Sequence, residues 1–128
     1  MSGLVVDTSS WISYLAGGGS GRIEEALEDG RVHLPPVVAA ELMSSRLTAR
    51  ERRDLERLLS ALAPCAGGLD HWFRVGALRA ALSARGLRVS TPDAHVAQCA
   101  LDLDAELLTE DGIFERIAEV APLRVAAE

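Results

Sequence analysis

Three features of this 128-residue sequence predict an α/β fold, a parallel sheet covered on both faces by helices. Short apolar runs such as Leu4-Val5-Val6 have the uniform character of buried strands rather than the alternation of half-exposed ones. Segments with helical spacing of apolar residues separate these runs. Apolar residues make up 48% of the chain and charged residues 25%, enough to build a core and to exclude wholesale disorder. Residues 1–128 read as a single domain without internal repeats, and Gly17-Gly18-Gly19-Ser20-Gly21 as a loop inside it.

Taken in order, Leu4-Val5-Val6 forms the first strand, and a helix from Thr8 to Ala16 follows, capped by Thr8 or Ser9. A second helix covers Arg22 to Glu28, and Val32-His33-Leu34 is the next strand. Pro35-Pro36 opens a helix through Ser45, since proline is accommodated at the first helical positions. From Thr48 to Leu62 the spacing of Leu55, Leu58, Leu59 and Leu62 defines an amphipathic helix with Arg and Glu on the opposite side. Leu69 to Arg85 is a helix ended by Gly86, and Leu87-Arg88-Val89 is extended or strand-like. Thr91-Pro92 caps a helix to Leu103. Glu106 to Thr109 is a strand, Gly112 to Ala118 a short helix and Leu123-Arg124-Val125 the last strand.

Charge narrows the function. Against 19 acidic residues stand 13 basic ones, for a net charge of −6, and every basic residue is Arg. Without lysine the chain cannot be a P-loop NTPase, a Schiff-base enzyme or a phosphoryl-transfer domain that needs an active-site Lys. The acidic balance argues against broad nucleic-acid binding through many basic groups. It leaves room for a nucleic-acid enzyme whose acids hold metal ions, because the ions offset the local charge. Cys65 and Cys99 lie far apart in the sequence, with no CxxC and no local Cys/His cluster, so a disulfide framework or structural zinc is not expected. No apolar run has the length of a membrane span. Met1-Ser2-Gly3 leads into a strand without a basic signal-peptide region, and a reduced cytoplasmic setting is expected.

Four acids stand out by context. Asp7 ends the first strand, where it either caps the next helix or faces a ligand. Glu41 follows Val37 and Val38 by one helical turn, which places it on an apolar face or at its border, with no basic residue nearby to pair with it. Asp93 sits in the first turn of its helix, where an acid also suits the helix dipole. Asp111 precedes Gly112 in what could be an ordinary turn. In a doubly wound sheet the strand ends and helix starts share one edge, and that is where ligands bind. Two carboxylates about 4 Å apart repel by roughly 4 kcal/mol at an effective dielectric near 20, so four together call for a cation. Oxygen-only ligation favours Mg²⁺ or Mn²⁺ over Zn²⁺, with Thr8, Ser9 and Thr109 as supporting hydroxyls. Such an ion acidifies water and neutralises a phosphodiester oxygen, the outline of metal-assisted phosphodiester hydrolysis.

The segments LVVDTSSWISYL, VVAAELMSSRL, VSTPDAHVAQCAL and ELLTEDGIFERI, in this order and spacing, resemble PIN-domain ribonucleases of the VapC toxin type. The resemblance extends over nearly the whole chain, to PLRV near its end. It implies a three-layer α/β/α sandwich around a mostly parallel sheet of four to five strands. Asp7, Glu41, Asp93 and Asp111 match the family's catalytic, metal-holding quartet, and Thr109 its hydroxyl beside the last acid. Implied with it are Mg²⁺- or Mn²⁺-dependent endoribonuclease activity leaving 5′-phosphate and 3′-hydroxyl ends, a VapB-type antitoxin partner and a homodimer. Two positions depart from the pattern: Ile113 stands where many members carry a further acid, and His95 where an apolar residue is usual. His95 is expected at a surface or interface.

Other residues read more simply. Trp11, Tyr14, Trp72 and Phe73 suit core or dimer packing better than base stacking. Arg46, Arg50, Arg52, Arg53 and Arg57 are interleaved with Glu51, Asp54 and Glu56, the pattern of a solvated helix face. Two rivals to the nuclease remain open: a PIN-like binding module without turnover, and an aspartyl-nucleophile phosphatase. The second lacks its Asp-x-Asp pair, since Asp7-Thr8-Ser9 stands there, and lacks its lysine.

Overall fold

The computed structural model describes residues 2–19, 21–65 and 67–127. Five parallel strands form one sheet: β1 (Leu4–Val6), β2 (Val32–Leu34), β3 (Ala63–Pro64), β4 (Glu106–Leu108) and β5 (Arg124–Val125). Their spatial order is β3-β2-β1-β4-β5. Seven helices connect and flank them: α1 (Thr8–Leu15), α2 (Gly21–Glu28), α3 (Pro36–Met43), α4 (Ala49–Ser60), α5 (Leu69–Ala84), α6 (Thr91–Leu103) and α7 (Ile113–Ala118).

Position in the sheet follows from composition. Leu4, Val5 and Val6 are at most 2% exposed, so β1, apolar throughout, occupies the centre. It aligns Leu4 with Val32 on one side and with Glu106 on the other. The chain winds outward from β1 to β2 and β3, then returns to add β4 and β5 on the opposite side. The crevice at that reversal, beyond the carboxyl ends of β1 and β4, is where such sheets bind ligands.

Helix α6 packs against β1 and β4, and every residue from Ala94 to Ala100 is buried. Its alanines at 94, 97 and 100 keep its bulk small where it is enclosed. Helix α4 lies nearer the surface, burying Leu55 and Leu59, with Leu58 and Leu62 partly covered. Its arginines are exposed, and the one ion pair within it among the described residues joins Arg57 to Asp54 at 3.9 Å.

Several local expectations are corrected. Asp7, not Thr8 or Ser9, occupies the N-cap of α1, and Ser90, not Thr91, caps α6 by accepting the Asp93 N–H at 3.2 Å. Leu87-Arg88-Val89 forms no strand and joins no sheet, although Leu87 and Val89 are buried. The Val89 carbonyl accepts instead from Arg79 Nε at 2.9 Å. The strand at Ala63–Pro64 has no counterpart in the expected elements: it is two residues long and one is proline, so it carries neither alternation nor an apolar run. Most other helices are a residue or two shorter than expected, whereas α2 begins one residue earlier, at Gly21, and α6 keeps its expected bounds.

Helix α4 starts with a reciprocal capping box, in which Thr48 Oγ1 accepts from Glu51 N at 3.1 Å and Glu51 Oε1 accepts from Thr48 N at 2.9 Å. Thr48→Ala should destabilise the fold by about 1 kcal/mol in urea titration, whereas Thr48→Ser should leave the midpoint nearly unchanged.

Candidate metal and active site

Four separate segments bring the acids to the carboxyl edge of the sheet. Asp7 directly follows β1 and is 6% exposed. It has the extended backbone of an N-cap, yet its side chain makes no capping bond. Its Oδ2 instead accepts from Ser9 Oγ at 3.1 Å and from Thr109 Oγ1 at 3.0 Å. Thr109 follows β4, so this bond ties the two central strands together across the crevice.

Each hydroxyl is held in turn. Thr109 Oγ1 accepts from the Asp111 N–H at 3.0 Å, and Ser9 Oγ accepts from the Glu110 N–H at 3.0 Å. Both protons are thereby directed at Asp7. Asp111 closes a local turn, its Oδ1 accepting from the Ile113 N–H at 3.0 Å. Ile113 is partly buried against the core, so this position contributes packing where other members of the resembled family carry an acid.

Glu41 reaches the cleft from α3, where Thr8 Oγ1 donates to its Oε1 at 2.7 Å. It is exposed, which settles its position: it borders the apolar face marked by buried Val38 and Leu42 and points away from the core. Asp93, in the first turn of α6, is half-buried. The structure thus uses Thr8, Ser9 and Thr109 chiefly as donors that fix carboxylates.

Electrostatics shows the four acids acting on one another. Burial raises Asp7 above the ordinary 3.8; hydrogen bonds from Thr109, Thr8 N–H and Ser9 oppose the rise, and the Glu41 charge adds to it. Asp93 is raised first by burial, against a lowering hydrogen bond from Ser90, and then by the charges of Asp7, Asp111 and Glu41. One carboxylate therefore feels all three others. The donors are all oxygen, with neither His nor Cys in the quartet, which fits a hard cation such as Mg²⁺ or Mn²⁺. At the opposite edge of the sheet a concavity of about 480 Å³ is lined by Ser2, Leu4, Arg22, Glu25, Arg31 and Glu106. It contains an Arg22–Glu106 ion pair at 3.0 Å and lacks such a like-charged cluster.

Other residues fall in less expected places. Trp11 is fully buried in the core, whereas Trp72 and Phe73 are 40% and 63% exposed. His95, expected at a surface or interface, is completely buried between α5 and α6. Its partner His71 lies 24 residues away on α5 and meets it only through helix packing, so no local pattern marks the pair.

Fold and site together define a parallel α/β protein with a carboxylate centre at its topological switch point. The PIN domain model matches residues 4–120, and the chain belongs to this family. Ribonuclease VapC11 of Mycobacterium tuberculosis (strain CDC 1551 / Oshkosh) is 28% identical over 131 residues, covering 97% of this chain and 98% of that protein. Among solved structures, DNA-bound VapBC from Salmonella typhimurium matches with a TM-score of 0.78 and 21% identity over 98% of both chains. VapBC2 from Rickettsia felis, bound to a promoter DNA fragment, matches with a TM-score of 0.76 and 20% identity over 96% of each chain. These structures share the fold.

The raised Asp7 and Asp93 give the metal-free protein a defined pH dependence. A carboxylate whose folded pKa exceeds its unfolded value favours folding at low pH, and this contribution is lost as pH rises from 3.8 through the folded value. Without divalent ions, Asp93→Asn should therefore melt a few degrees above wild type at neutral pH. The difference should close as the pH falls towards 4, as read by thermal denaturation across a pH series.

Proposed function

We propose that this chain is a Mg²⁺- or Mn²⁺-dependent endoribonuclease, the toxin of a type II toxin–antitoxin pair, with Asp7, Glu41, Asp93 and Asp111 as the metal-holding, catalytic acids. The observation that carries the reading is the convergence of acids from four segments, expressed in the response of Asp93 to the other three. Membership of the PIN family and likeness to Ribonuclease VapC11 supply the reaction class, hydrolysis of an RNA phosphodiester.

The chain's own residues divide the work. Asp7, nearly out of solvent and held by two hydroxyls, forms the fixed ligand of the centre. Glu41 and Asp111 are exposed and close the site from α3 and the β4–α7 turn. Asp93 projects from the amino end of α6, whose dipole favours negative charge there. A divalent ion bound by these oxygens lowers the pKa of water and offsets the charge of a scissile phosphate. An acidic protein can approach RNA only where that compensation operates, which confines binding to the cleft. Single-stranded or looped RNA, with unstacked bases, is the substrate such an open cleft suits.

Likeness to VapBC assemblies supports a VapB-type antitoxin as partner, and a homodimer is proposed as the working form. Ile12 and Leu15 on α1 and Leu69, Trp72 and Phe73 on α5 are exposed apolar side chains of the kind that partners cover. No helix among the described residues is long and apolar enough to cross a membrane.

Purified protein with Mn²⁺ should cleave single-stranded RNA, and chelation should abolish cleavage. Asp7→Asn should lower the rate by at least about 100-fold, the scale on which loss of a central electrostatic group acts. Thr109→Val, which leaves the carboxylate but removes its holder, should lie between the two. Equal cleavage by wild type and Asp7→Asn would refute the assignment, and RNA retention without cleavage would favour a binding module.

A further inference from the structure

A second cluster of ligating side chains lies outside the acid cleft and takes no part in the chemistry described above. His71, His95 and Cys99 present one ring nitrogen or sulfur each, all within 4.8 Å of one another, and all three residues are buried. We propose that His71, His95 and Cys99 form a structural site for a transition-metal ion of the Zn²⁺ class. The site has chemistry opposite to that of the acid cleft: nitrogen and sulfur donors, selective for a soft or borderline ion.

The cluster is built by helix packing. His95, Cys99 and Asp102 recur at i, i+4 and i+7 and share one face of α6, turned towards α5. His71 enters from the first turn of α5. Cys65 lies between β3 and α5, where its N–H bonds the Leu34 carbonyl at 2.9 Å and anchors this segment to the sheet.

Asp102 supplies the outer support expected of a metal site. Burial works against its charge, but hydrogen bonds from Arg74, His71 and Gln98 prevail and hold it well below the usual carboxylate range. Arg74 donates from two nitrogens, both at 2.9 Å, and Gln98 Nε2 donates at 2.8 Å. As an ionised acceptor, Asp102 Oδ2 requires a proton on His71 Nδ1, 2.8 Å away. His71 Nε2 then faces the cluster, 2.7 Å from His95 Nδ1. This carboxylate–histidine arrangement orients metal-ligating imidazoles.

His95 is correspondingly poised. Trp72 stacks on it with ring centroids 4.6 Å apart and an interplanar angle of 10°. His71 Nε2 and His95 Nδ1 are hydrogen-bonded at 2.7 Å, and Cys99 Sγ lies 3.9 Å from the same His95 Nδ1. Tetrahedral zinc needs nitrogen donors about 3.3 Å apart, so the rings must part by about half an ångström as the ion replaces the proton between them. Deprotonation of the thiol makes affinity rise with pH. The bound ion would fasten the first turn of α5 to α6, the helix that carries Asp93.

Titration of the reduced full-length protein with Co²⁺, followed by absorption, tests the site. A single equivalent should produce intense tetrahedral visible bands and a near-ultraviolet thiolate-to-cobalt band. Both should be displaced by Zn²⁺, survive excess Mg²⁺ and persist in Asp7→Asn. Cys99→Ala should abolish the thiolate band and weaken Zn²⁺ binding by about 100-fold, and Asp102→Asn should weaken it by about 10–100-fold. Weak octahedral bands that vanish with Mg²⁺ or in Asp7→Asn would overturn the proposal, since the ion would then occupy the acid cleft. So would absence of binding, or a Cys65–Cys99 disulfide in the freshly isolated protein by intact mass. The wild-type spectrum decides the matter even if Cys99→Ala does not fold.

Discussion

Asp7 sits almost out of water at the point where the sheet reverses its winding, and the charge of Glu41 acts on it there. A carboxylate in that position is tolerated only if donors replace the lost water. Thr109 and Ser9 do so, and because they come from β4 and α1 they also fasten the two central strands at their carboxyl ends. The order of the site thus depends on two hydroxyl contacts, while the unrelieved repulsion reserves the remaining space for a cation.

Helix α6 is where architecture and chemistry meet. Its middle is buried, packed against α5 on one side and against the sheet, α3 and α7 on the others. Asp93 and His95 are two residues apart, about 200° around the helix axis. Oxygen chemistry therefore develops at its amino end, and nitrogen and sulfur chemistry on the face packed against α5. The separation is physical as well as geometric: hard carboxylates retain their hold on ions of the Mg²⁺ type, whereas imidazole and thiol select borderline ones.

Elements with strong local patterns were legible in the sequence. The apolar strands β1, β2 and β4 and the periodic helices α4 and α5 are found where expected, because their burial pattern is set by side-chain spacing alone. Pro64 hid β3, whose existence depends on pairing of His33 with Ala63 and Leu34 with Pro64. Leu87 and Val89 alternate inward as a strand would but lack a neighbouring edge to join. Cap positions shifted by one residue at Asp7 and Ser90, since several adjacent residues there are chemically suitable caps.

By itself the sequence determined the kind of sheet, the absence of lysine chemistry and which acids stand at strand ends and helix starts, because each follows from residue type and spacing along one segment. Only the tertiary structure decided that Glu41 is exposed and bonded to Thr8, that the hydroxyls hold carboxylates, and that His71, His95 and Cys99 meet in the interior. These outcomes join residues from distant parts of the chain. Their distances are fixed by how helices pack on the sheet and on one another, which no local pattern encodes.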